Sequence, residues 1–198
     1  MSLSEKDTLE RVTNQLVELK DASELALDLA YSALLLNNTY LAEEVQRIHS
    51  KVSDLNLELE ELLLSCKLPS EELNGSIGLF RMGIASERIA HAASEIAQIV
   101  LRGMEPHPVL RMMIESADKT VEEIWVNEDS LLVNKSLKDA QIPEETGWWV
   151  LAIKRGERWI KPKASLVLQE GDQLIASGYA DGEEDLKQLL SGLKPEEK

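Results

Sequence analysis

Histidine and cysteine are scarce in this chain, with three and one among 198 residues, so soft-ligand chemistry is confined to a few places. Glu87 and His91 stand four positions apart in ASERIAHAASEIAQIV (85–100). Four residues are about one helical turn, which sets carboxylate and imidazole side by side on one face. Such a pair can ligate zinc, nickel or iron when a neighbouring helix supplies a further donor, and His49 is the candidate. The candidate transition-metal site is therefore His49, Glu87 and His91. With Ile89 as the core direction, Glu87 and His91 point about 160° and 200° away from it, together with Ser94, Glu95 and Gln98. That direction also describes the solvated side of a packed helix, and both readings stand.

A second cluster is basic. Lys154, Arg155, Arg158, Lys161 and Lys163 fall within ten residues of a chain whose net charge is −15. Lys154, Arg155 and Arg158 are candidate anion- or ligand-binding residues, because local positive potential can hold an anion or steer an acidic partner. The competing reading is the solvent-facing side of a two-stranded ribbon. Other chemistry is missing: no G-x-G-x-x-G follows a strand, and there is no Walker A loop. Cys66 has no histidine near it in sequence, and His107 sits between Pro106 and Pro108 as linker. No pair of carboxylates stands out as acid and base, so the chain reads as a non-enzyme.

Residues 1–116 carry 10 basic and 19 acidic side chains, and residues 117–198 carry 11 and 17. Neither half offers the basic footprint that a phosphate backbone requires, so nucleic acid is not expected as a partner. A lone cysteine and an N-terminus without an apolar h-region predict a reducing, cytoplasmic setting. The most apolar stretch, 25–36, is interrupted by Asp28 and is too short to span a bilayer.

The elements that must position these residues differ between the halves. Leu41, Val45, Ile48, Val52, Leu55, Leu59 and Leu62 keep heptad spacing, which predicts a long helix in a bundle. A matching stripe runs through Leu9, Val12, Leu16 and Leu19, and a third through Leu79, Met82, Ser86, Ile89, Ala93, Ile96 and Val100. Asn38 or Thr39 can cap the second helix, the run 67–75 breaks the chain again, and Gly103 before EPHP ends the third. The expected architecture is a three-helix antiparallel bundle over 1–104. A linker with a short helix (107–121) bridges 105–119, and a small α+β domain spans 120–192 before a short tail. In that domain, 146–162 reads as strand, tight turn at Arg155-Gly156 and strand. Residues 165–178 read as two short strands about a turn at Glu170-Gly171-Asp172, and 181–192 as a helix. The upper part of helix one is apolar nearly all round and needs a partner surface. About 70 residues make a marginal monomer, so dimerisation through the second domain is expected.

Residues 128–178 resemble the TrkA-C (RCK_C) domain, the regulatory module of potassium-transport gating proteins. The likeness lies in the order Ser130-Leu131, Asn134-Lys135-Ser136-Leu137, Val150-Leu151-Ala152-Ile153, Arg155-Gly156, Ile160 with Pro162, and Leu168 before Gly171-Asp172. Position 134 is Asn where that family usually has glycine. The helical half is similar to a single repeat of the PhoU family, and the whole resembles prokaryotic PhoU-like/TrkA-C fusions. PhoU helices carry Glu-x-x-x-Asp metal motifs; the matching positions here read Glu87-x-x-x-His91 and His49-x-x-x-Ser53, and an intact Glu24-x-x-x-Asp28 lies on helix one. The resemblance implies a non-enzymatic regulatory subunit at the cytoplasmic face of a cation transporter, potassium above others. It also implies a homodimer through the C-terminal domain and a small anionic ligand at the dimer interface. The alternative is a metal-binding phosphate-signalling or metal-sensing module.

Overall fold

The structure, a computed structural model, describes residues 3–65, 73–103, 108–109, 112 and 119–191. Cys66, His107, most of the run 67–75 and most of the connecting segment lie outside the described residues. The chain divides into two compact units, one helical and one α+β, changing over at residue 103–104.

The helical unit consists of α1 (Leu3–Leu36), α2 (Thr39–Ser65) and α3 (Leu73–Leu101). The α1–α2 turn is made by two asparagines. Asn37 adopts a left-handed φ of 48°, and the Asn38 N–H donates to the Ala33 carbonyl at 2.9 Å. This six-residue closure satisfies an end carbonyl of α1, while Asn38 Oδ1 accepts from the Leu41 N–H at 3.2 Å and caps α2. The helices run antiparallel. Gln15 reaches the Leu55 carbonyl and Glu58 across α1 and α2, and Gln46 reaches Ser94 across α2 and α3.

The core of this unit follows the expected seam on α2 and, past an exposed Leu9, the one on α1, with Leu19, Leu29, Leu41, Val45, Val52 and Leu59 without solvent access. Each buried leucine contributes about 1.5–3 kcal/mol relative to an exposed one. Between Leu25 and Leu36 only Tyr31 is exposed, with Leu27, Leu35 and Leu36 half-buried. The third seam departs from expectation. The stripe of α3 turned into the bundle is Gly83, Ser86, Ala90, Ala93, Ala97 and Val100, while Met82 and Ile89 are exposed. The reason is helix spacing: a Cβ on Gly83 would lie 2.3 Å from Asn56 Oδ1 and 3.2 Å from Leu59, so α2 approaches too closely for large side chains.

The second unit is a four-stranded antiparallel sheet of order β1-β4-β2-β3, with β1 Lys119–Trp125, β2 Trp148–Arg155, β3 Arg158–Ile160 and β4 Gln173–Tyr179. β1 corrects the expected helix over 107–121, since residues 119–121 belong to this edge strand. The strand expected near 165–168 is a single bridge, Ser136 to Val167, extended by main-chain bonds between 134–137 and 166–168. The short helices α4 (Leu137–Ala140) and α5 (Ile142–Thr146) precede β2, and a 3-10 turn (Ala180–Gly182) leads into α6 (Glu183–Ser191). Trp148, Ile153, Leu174, Ala176, Leu186 and Leu190 form one core between sheet and helices.

Candidate functional site

Alternation along the strands decides what the sheet presents. Leu174 and Ala176 face the core, so Gln173, Ser177 and Tyr179 face the other way. Directly opposed residues of antiparallel strands share a face, which adds Trp125 opposite Gln173 and Trp149 opposite Ser177. Trp125 (53% exposed), Trp149 and Tyr179 are thus exposed aromatics on one face, around Gln173 and Ile175, which are buried on that same face. Composition alone does not reveal this, because KTVEEIW, the sequence of β1, alternates too weakly to predict a strand.

The basic hairpin folds as expected, with a two-residue connection, Gly156-Glu157, between the opposed pair Arg155 and Arg158. Gly156 takes a φ of 58°, a conformation glycine adopts without strain. Arg155 is engaged within the domain. Its Nε and an Nη donate to the two Asp172 carboxylate oxygens at 2.8 Å each, and the same end of the guanidinium donates to the Val167 carbonyl at 2.8 Å. Hydrogen bonding to Asp172 raises the Arg155 pKa above its ordinary value, against a smaller opposing effect of burial. Arg158 is exposed and Lys154 half-buried.

On the helical unit the structure brings His49 and His91 together, with ring centroids 5.5 Å apart. Glu87 is turned to α2 rather than to open solvent. It accepts from Ser53 Oγ at 3.2 Å and from Asn56 Nδ2 at 3.1 Å. This follows from the rotation of the α3 core stripe toward its alanines, which swings Glu87 to the α2 side. Among the described residues, no group of three or more His, Cys, Asp or Glu side chains could hold a metal ion. Glu24 pairs with Lys20 at 3.1 Å, which raises the lysine pKa through that hydrogen bond first and the one to Asp21 second.

A three-helix antiparallel unit followed by a small sheet domain defines a two-module protein with its described polar clusters engaged in packing. The chain joins a PhoU domain, matched over residues 16–100, to a TrkA-C domain, matched over residues 121–191. Among curated proteins, Potassium channel protein 1 of Methanocaldococcus jannaschii is 32% identical over 105 residues, which is 50% of this chain and 30% of that protein. The ammonium/H(+) antiporter subunit AmhM of Alkalihalophilus pseudofirmus is 21% identical over 113 residues, covering 57% of this chain and 68% of that one. Among solved structures, the RCK_C domain dimer of S. agalactiae BusR in complex with c-di-AMP is 28% identical. That match covers 35% of this chain and 93% of that chain at a TM-score of 0.34. The chain thus spans less than a third of the length of the channel relative. Among the described residues, no helix is long and apolar enough to cross a membrane.

Proposed function

We propose that this chain is a non-enzymatic regulatory subunit of a monovalent-cation transport system, potassium above others, acting from the cytoplasmic side. The observation that carries the reading is the TrkA-C domain over residues 121–191, in a chain with 32% identity over 105 residues to a potassium channel protein. In this reading the TrkA-C domain dimerises, and a small anionic ligand at the dimer interface shifts the population between two arrangements of the helical units. The exposed aromatic face of the sheet supports self-association, because water-exposed tryptophans gain from burial. Arg158 is the proposed ligand-charge contact, on the hairpin face it shares with Arg155, which positions the hairpin through Asp172, while Lys154, the third candidate, lies on the opposite face with Trp159. The acidic balance of both halves argues against nucleic acid.

The test is native mass spectrometry of the full chain purified without chelator, titrated with c-di-AMP as probe. A dimer that takes up the dinucleotide in a fixed ratio, and loses it in Arg158→Ala, is the expected result. A protein that is monomeric at micromolar concentration overturns the arrangement. The approach of His49 to His91 favours one second reading, a metal-sensing PhoU-type module. It requires stoichiometric transition metal in the same spectrum, lost in His91→Ala.

A further inference from the structure

We draw no further inference here: the strongest candidate, the exposed apolar face of α3 at Met82, Ile89 and Ile99, is an unpartnered helix face, and nothing in the structure shows what covers it.

Discussion

Arg155 on β2 and Asp172, the residue before β4, form a two-bond ion pair at 2.8 Å whose carboxylate has no solvent access. The same carboxylate accepts from the Gln169 N–H at 2.9 Å and so fixes the turn in which Gly171 adopts a φ of 82°. One pair therefore joins the β2–β3 hairpin to the turn that starts β4. The proposed ligand-binding charge beside it rests on a hairpin held in this way.

Replacing Asp172 with Ala leaves a half-buried guanidinium without its carboxylate and the Gln169 N–H without its acceptor. Breaking such a pair from one side costs about 3–5 kcal/mol, and the half-buried arginine puts the expected loss at the lower end. All four tryptophans lie in the second unit, so urea unfolding followed by their fluorescence reads this domain alone. The midpoint is expected to fall while the helical transition, followed by circular dichroism, holds.

Gly178 on β4 lies against Trp148, the largest fully buried side chain, and an added Cβ would come within 2.4–2.6 Å of three indole atoms. The indole is also held by its Nε1, which donates to the Tyr179 carbonyl at 3.0 Å. Trp148 cannot shift without losing that bond, so Gly178→Ala is expected to cost about 3 kcal/mol, the upper end of overpacking effects. Fluorescence-detected unfolding checks it, and a variant as stable as the parent contradicts the packing described.

Long-period features were legible before the fold was known. Heptad spacing placed α1 and α2, and hairpin chemistry placed β2, β3 and the turn at Gly171. Asn134 was conspicuous as asparagine where glycine is usual; its φ of 64° explains why, since asparagine is among the few residues that tolerate this region. What sequence misjudged was direction and partnership. Weighting large side chains put the α3 core at Ile89, whereas close helix approach at Gly83 selects alanine and serine for the interior. Strand β1, reading KTVEEIW, alternates too weakly to announce itself. Charge clustering in the hairpin could not show that Arg155 has a buried partner, because Asp172 lies 17 residues away in sequence.

The α1–α2 turn separates two asparagines by role. Asn38→Ala removes the cap of α2 and is expected to cost about 1 kcal/mol in thermal unfolding of the helical unit. Asn37→Gly relieves a left-handed asparagine and is expected to be neutral or slightly stabilising, whereas Asn37→Val strains a β-branched residue at φ 48° and destabilises. The order Gly, Asn, Val in melting temperature at position 37 is the check.

Glu87 has two available employments, and a melting experiment separates them. Its carboxylate accepts from Ser53 and Asn56, and Asn56 is itself buried, donating also to Glu60 at 3.2 Å. Glu87→Ala removes acceptors from a buried polar cluster and is expected to cost about 1–3 kcal/mol, with Glu87→Gln costing less because one acceptor oxygen remains. A metal that binds only the folded state raises stability with its concentration. If zinc binds through the two imidazoles alone, it raises the melting temperature of the parent and of Glu87→Ala by the same increment, and His49→Ala removes that increment. A zinc increment lost in Glu87→Ala as well would show the carboxylate leaving Ser53 and Asn56 to join the histidines. Circular dichroism melts of the three proteins with and without zinc therefore decide whether Glu87 is a packing residue of α2 and α3 or a metal ligand.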